Sequence, residues 1–568
     1  MAGSRDPKKN SRTKPIDRRR FFQYFSGIGA ASTLFAGTLW SRYAASEENG
    51  VTVEMIRDAE WAAGVSFTDE ERKLMTSELN EQIEMYGQIR ALNIPNSVPP
   101  ALRFDPVLPG MTFDREENPF KISRGAAREI PPNRDELAFW NVLDLSRVLK
   151  ARKITSLELT RLYLRRLNRY NPVLNCVVTL TEDTALKQAR RADAEIAAGK
   201  YRGPLHGIPW GAKDLLATKD HPTTWGAMPF RTQQFEEDAT VVVRLEEAGA
   251  VLVAKLTLGA LAMGDEWFGG RTNSPWNPKR GSQGSSAGPA AAVAAGLVGF
   301  AIGSETRGSI VSPATRCGIT GFRPTYGRVS RYGAMALCWS MDKLGPMCRS
   351  AEDCAIVLNA IHGADEKDQT TVDMPFNWDP DQPLSSLRIG YLKDAFEESE
   401  HDAGSLETLR ALGVDPIPVE LPDFPVDAMD TILMAEAAAA FDELTISGRD
   451  DLLVSQDEWG WPNSFRKARL IPAVEYIQAN RARTLLMQAT EEALQKVDVH
   501  ITPTEASLAL DNLTGHPLVS VPNGFTDDGE PTSIGFLGGL YKDAAVLRVA
   551  KAFQDVTDYH LKRPPLDA

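Results

Sequence analysis

Two serine-bearing, glycine-rich turns in the middle of this chain have the residue types for nucleophilic chemistry. The first is Gly284-Ser285-Ser286-Ala287-Gly288, and the second runs Ser304-Glu305-Thr306-Arg307-Gly308-Ser309. An Ala/Gly/Val-rich helix and a short apolar run join them. Glycine lets backbone N–H groups approach a ligand closely, and a turn of successive N–H groups is a ready oxyanion site. A serine in such a turn is a nucleophile once a base reaches its proton. Histidine is the usual base, yet none of the seven histidines lies in these turns. A lone Lys213-Asp214 pair lies upstream, in Gly207-Ile208-Pro209-Trp210-Gly211-Ala212-Lys213-Asp214.

These three motifs, in this order and with this gap between Ser285 and Ser309, resemble the amidase signature family of serine hydrolases. The resemblance spans roughly residues 136 to 560. It implies a Ser-Ser-Lys triad: Ser309 attacks the carbonyl carbon, Ser285 relays its proton, and Lys213 is the base. A lysine serves as base when burial disfavours its ammonium and lowers its pKa. The resemblance also implies a cis Gly284-Ser285 peptide and an oxyanion hole made by the amides of Thr306, Arg307, Gly308 and Ser309. Met263, Gly264, Asp265 and Trp267 stand where the family has a pocket-lining segment. Trp210, Trp225 and Trp339 lie near the motifs, with core packing the expected role of each. No metal or cofactor is expected, and no phosphate-binding loop, dinucleotide fingerprint or H-E-x-x-H pattern occurs.

The chain departs from the family pattern in several places. Gln283 and Ala287 replace glycines, and Glu305 replaces an aspartate and is expected to anchor its loop. Arg307 replaces a glycine beside the oxyanion hole, and Val311 replaces an arginine. Either Arg307 enters the pocket to bind a substrate carboxylate, or it takes over the structural role of the arginine missing at Val311; the second is preferred.

Other functions fit less well. Gly284 to Gly288 also satisfies the G-x-S-x-G nucleophile elbow, which would make Ser286 the nucleophile with His500 or His516 as base. That elbow needs a strand before it, and the preceding Asn273 to Arg280 contains two prolines and no strand pattern. A tRNA-dependent amidotransferase subunit would need a cytoplasmic location. A non-catalytic binding protein would not need all three of Lys213, Ser285 and Ser309. Ester hydrolysis or acyl transfer at the same site is chemically equivalent up to the leaving group.

The elements that must position these residues read as α/β. The 568 residues are 43% hydrophobic and 24% charged, with a net charge of −13, so a nucleic-acid partner is not expected. A small-molecule amide is the expected partner. Residues 1–45 hold a basic stretch, Arg18-Arg19-Arg20-Phe21-Phe22, and a mildly apolar run to Trp40, as in a twin-arginine export signal. This predicts a periplasmic or exported protein, membrane-tethered if the signal is not cleaved, with transient membrane contact through that segment. Residues 46–135 are predicted to form a helical extension and a linker, with Thr68-Asp69-Glu70-Glu71 opening the second helix. A catalytic domain is expected over 136–562, a large mixed sheet surrounded by helices, with a cap or insertion around 365–465. Within it Leu145 to Asn168 reads as mostly helix, Asn175 to Leu180 as strand, Asp238 to Ala248 as helix, and Val251 to Ala254 as buried strand. The five cysteines form no even disulfide framework and are expected to be buried thiols.

Overall fold

The computed structural model describes residues 50–566, except 64, 93, 99–101, 398, 400 and 401. The twin-arginine segment, 1–45, lies outside the described residues. The chain divides into two units after Ile94.

The first unit is a helical hairpin, Val53–Ala63 and Asp69–Arg90. Thr68 and Glu71 close the predicted capping box: the Glu71 amide donates to Thr68 Oγ1 (3.3 Å), and the Thr68 amide donates to Glu71 Oε2 (2.6 Å). Arg72 and the shielded Glu60 tie the two helices with an ion pair of 2.7 Å.

Near the start of the second unit an extended strap runs over residues 102–133. The strap has no regular structure of its own, so later residues satisfy its backbone. The Asn118 amide donates to Asn377 Oδ1 (2.9 Å), the Lys121 amide to the Trp378 carbonyl (3.2 Å), and the Ser123 amide to Glu352 Oε1 (2.7 Å).

The unit is built on one mixed sheet of eleven strands with helices around it. In chain order the strands are β1 Val177–Leu180, β2 Pro209–Lys213, β3 Val251–Leu256, β6 Phe300–Glu305, β7 Thr320–Arg323, β8 Lys343–Cys348, β9 Ile389–Leu392, β10 Ile417–Val419, β11 Val499–Pro503, β12 Leu518–Phe525 and β13 Pro531–Gly538. A separate two-stranded ribbon pairs β4, Glu266–Trp267, with β5, Gly270–Arg271. The order across the large sheet is β1-β3-β2-β6-β8-β7-β12-β13-β11-β9-β10. β3, β2 and β6 run parallel, as do β11, β9 and β10, and the remaining pairs are antiparallel. β2, β3 and β8 are buried along their whole length, as strands covered on both faces must be.

Two local outcomes differ from the sequence reading. The stretch read as mostly helix from Leu145 to Asn168 is two helices, Val142–Lys150 and Ser156–Leu174. Arg152 breaks the first at φ 55°, and Thr155 starts the second by a capping box with Glu158. The 365–465 stretch is also divided. Its β9 and β10 extend the main sheet, whereas Thr431–Ala440, Asp442–Ser447 and Trp461–Ala468 form a helical layer.

All five cysteines are buried free thiols. No described helix is long and apolar enough to cross a membrane.

Candidate active site

Two parallel neighbours, β2 and β6, carry Lys213 and the Ser309 turn at their C-terminal ends. Lys213 is the last residue of β2; Ser304 and Glu305 end β6, which then turns sharply into helix Val311–Cys317. Ser285 and Ser286 lie just before helix Ala287–Ala294, which is buried throughout. Its small side chains let it pack tightly against the sheet. A Cβ on Gly288 would sit 2.4 Å from the Thr257 nitrogen, and one on Gly303 would sit 2.8 Å from Ser286 Oγ.

Lys213 is completely buried, and its Nζ lies 2.8 Å from Ser285 Oγ and 2.9 Å from both Ser286 Oγ and Ser304 Oγ. No carboxylate among the described residues bonds to it. Burial therefore dominates and holds its pKa well below the usual 10.5, with Asp342 and Glu305 opposing from a distance.

The hydrogens can be counted. Ser286 Oγ donates to the Ser304 carbonyl (3.1 Å) and accepts from the Ser304 amide (3.2 Å), so its remaining lone pair accepts from Nζ. A neutral amine that donates to Ser286 and Ser304 has one lone pair left. That lone pair can take the proton of Ser285. Ser286 is thus saturated and fully buried, which disfavours it as an elbow nucleophile. The histidines that reading would need do not reach it: His516 Nδ1 bonds Thr514 Oγ1 (2.7 Å), and His500 Nε2 has no partner among the described residues.

The two serine loops are joined by the Ser286 amide, which donates to the Ser309 carbonyl (3.0 Å). Ser285 is buried and Ser309 half-buried, so Ser309 is the more accessible of the pair. The Ser309 hydroxyl has no hydrogen bond to Ser285 among the described residues; Ser285 Oγ bonds Lys213. The Gly284–Ser285 peptide is cis.

Glu305 anchors the Ser309 turn. Its Oε2 accepts from the amides of Ile310 (2.8 Å) and Val311 (3.0 Å), and its Oε1 accepts from Arg323 (2.8 Å) and Asn512 (2.9 Å). These partners hold a fully buried carboxyl below its usual pKa despite desolvation. The preceding amides, those of Thr306, Arg307, Gly308 and Ser309, donate to no group among the described residues. Four uncommitted amides beside a serine are what an oxyanion hole requires. Thr306 Oγ1 donates to Asp342 Oδ1 (2.7 Å), and Arg307 is turned away to Asp427 and Asp430.

Arg307 does not have positive φ, so the loss of glycine there carries no backbone penalty. Gln283, the other replaced glycine, does have positive φ, at 58°. Its side chain fits between the Ser312 carbonyl (3.2 Å) and Arg316 (3.1 Å). Val311 lies in an apolar cluster with Leu508, Leu518 and Leu537, which leaves no charged role there for Arg307 to assume. Asp214 is structural: it pairs with Lys255 at 2.8 Å and accepts from the Thr224 amide (2.9 Å).

The segment from Met263 to Asp265 lies against the serine loop. A Cβ on Gly284 would come within 1.8 Å of the Gly264 carbonyl, and Asp265 Oδ2 accepts from the Gln283 amide (2.9 Å). Trp267 is buried edge-to-face against Phe268. Trp210 stacks on Phe300 and Trp225 packs with Phe230, so both are core residues; Trp339 is half-buried, and its carbonyl accepts from Tyr326 and Arg331.

Sequence reasoning missed Ser304, Asp342 and the Asp427/Asp430 pair. Ser304 carried a signal, since it shares the turn with Ser309. The others are distant in sequence and carried none.

Comparison with known proteins agrees with this geometry. The Amidase family profile matches residues 158–512. The A subunit of glutamyl-tRNA(Gln) amidotransferase from Dechloromonas aromatica is 36% identical, covering 74% of this chain and 98% of that one. The native peptide amidase of Stenotrophomonas maltophilia is similar in structure, with TM-score 0.67, 31% identity, and coverage of 75% of this chain and 98% of that one. The corresponding A subunit from Thermotoga maritima superposes with TM-score 0.64 at 26% identity, covering 76% and 98%. A buried lysine among serine hydroxyls, a turn of free amides and relatives matched almost end to end lead to one assignment: the chain belongs to the amidase family of enzymes acting on C–N bonds.

Proposed function

We propose that the protein is a serine amidase that hydrolyses a small carboxamide through an acyl-enzyme at Ser309. The observation that carries this reading is the buried Lys213 Nζ, 2.8 Å from Ser285 Oγ and with no carboxylate in contact among the described residues. Ser309 Oγ attacks the carbonyl carbon as its proton passes to Ser285, and the Ser285 proton passes to the Lys213 lone pair. The tetrahedral oxyanion is held by amides from Thr306 to Ser309. Collapse breaks the C–N bond, and the proton returns through Ser285 to the leaving amine. Water then attacks the Ser309 ester by the same relay and releases the acid. Ester hydrolysis or acyl transfer needs only a different leaving group or acceptor.

Met263, Gly264, Asp265 and Trp267 form the acyl-side wall in this reading, supported by the packing of Gly264 against Gly284. The enzyme acts outside the cytoplasm, on the strength of the Arg18-Arg19-Arg20-Phe21-Phe22 run. Cell fractionation of wild type and an Arg18→Lys/Arg19→Lys/Arg20→Lys variant checks this, since loss of export is expected in the variant.

Fluorophosphonate labelling followed by intact mass tests the chemistry. One adduct is expected on wild type and Ser286→Ala, none on folded Ser309→Ala, and slow labelling on Lys213→Ala. Label that survives Ser309→Ala and is lost in Ser286→Ala overturns the relay.

A second reading, the A subunit of an amidotransferase, rests on the name of the curated relatives. It predicts that the chain purifies with partner subunits and stays in the cytoplasm.

A further inference from the structure

Three consecutive residues of the nucleophile turn reach out to three different anchors. Glu305 holds the inner side, as described above. Thr306 donates to Asp342, whose other oxygen accepts from the amides of Leu337 (2.8 Å) and Cys338 (3.0 Å). Arg307 holds the outer side: Nη2 pairs with Asp427 Oδ1 at 2.7 Å, and Nη1 pairs with Asp430. Asp427 precedes and Asp430 ends the short 3-10 turn Ala428–Asp430 that leads into helix Thr431–Ala440, where the helix dipole favours their charge.

That helix meets the site by a second route. Its buried Glu436 accepts from the Ser340 amide (2.9 Å) and hydroxyl (2.7 Å), within the 337–342 turn that Asp342 closes. Thr306 and Arg307, adjacent in the turn, are therefore both referred to one helix. With the amides of Thr306 to Ser309 unbonded among the described residues, the turn is held by backbone only through the Gly308 and Ser309 carbonyls, and its side chains supply the rest.

We propose that Arg307 is a positioning residue: by forking between Asp427 and Asp430 it fastens the oxyanion turn and Ser309 to the start of helix Thr431–Ala440. The guanidinium is suited to this because its planar fork engages two carboxylates in a fixed geometry. Side-chain exposures of 36% for Arg307 and 90% for Asp427 make the clamp accessible to salt. Small displacements of reacting groups are costly in rate, so a modest clamp has a measurable effect.

The proposal rests on Ser309 being the nucleophile, and the test separates the two. The rate of fluorophosphonate labelling and the amide hydrogen exchange of the 303–312 segment are followed on the full chain. Arg307→Met keeps the amide and removes the charge. It is expected to label Ser309 about tenfold more slowly and to exchange faster over 303–312, with circular dichroism unchanged. Arg307→Lys recovers part of the rate. Asp427→Asn/Asp430→Asn slows labelling to the same extent, and adding Arg307→Met to it slows labelling no further. Sodium chloride at about 1 M slows wild type and leaves Arg307→Met unaffected. Wild-type labelling and exchange in Arg307→Met overturn the clamp, as does a slowing that adds to that of the aspartate variants. If wild type takes no label at Ser309, the nucleophile reading fails, and exchange alone decides the clamp: unchanged protection in Arg307→Met overturns it.

Discussion

Lys213 and Lys255 sit on adjacent parallel strands, one register step apart, and both are completely buried. Alternation along the strands sends them to opposite faces. Lys255 meets Asp214 at 2.8 Å and Thr223 Oγ1 at 2.8 Å. Lys213 meets three serine hydroxyls and no carboxylate among the described residues. Burial lowers the pKa of both; only at Lys255 does a carboxylate in contact oppose it. The same residue type at the same depth thus meets a carboxylate on one face and only hydroxyls on the other. In the proposed relay, the hydroxyl-lined lysine is the one that serves as base.

The sharpest test of this contrast is to remove each amine. Lys213→Met is expected to lower amide turnover by about four orders of magnitude while the protein folds. Lys255→Met should do the reverse. It strands a buried carboxylate, so denaturant titration should show a loss of about 3–5 kcal/mol, with labelling of Ser309 in the folded protein within about threefold of wild type. Lys255→Met/Asp214→Leu should regain most of that stability. A catalytic collapse in folded Lys255→Met breaks the comparison.

The pH dependence tests Lys213 further. Between the depressed pKa of folded Lys213 and the unfolded value near 10.5, the unfolded chain holds a proton that the folded chain does not. Stability contributed by this group therefore rises with pH through that window, and Lys213→Met should remove that slope from the stability profile. Labelling of Ser309 should fall as pH drops through the folded Lys213 pKa, because the lone pair is lost on protonation. The smallest expected effect is that of Ser304→Ala, which removes one of three hydroxyls around Nζ. It should slow labelling by about fivefold and cost about 1 kcal/mol in denaturant titration.

Much of this site was legible because its residues lie in short local patterns. Ser285, Ser286 and Ser309 stand in turns, and Lys213 and Glu305 at strand ends, each beside glycines or small residues that mark close packing. The mixed sheet was legible too, since β3 and its flanking helix carry clear apolar patterns. What failed to show depended on contacts across the chain. Arg307 was read as standing in for an arginine missing at Val311, but its partners, Asp427 and Asp430, lie more than a hundred residues away. Asp342 lies outside the serine and lysine motifs, and nothing local points it at Thr306. β9 and β10 are too short, at four and three residues, for alternation to appear in a Pro/Asp-rich stretch.

The strap over residues 102–133 also bears on timing. Its hydrogen bonds to Glu352, Gln369 and Asn377 close sequence separations of 229, 266 and 259 residues. At a synthesis rate of roughly 5–20 residues per second, the strap leaves the ribosome about ten to fifty seconds before its partners exist. Docking of the strap is therefore a late event in the life of each chain. Until it occurs, the surface around residues 352–379 stays uncovered. A protease or chaperone acting on the nascent protein has that interval to do so, and a chain stopped before residue 352 lacks all three of these partners.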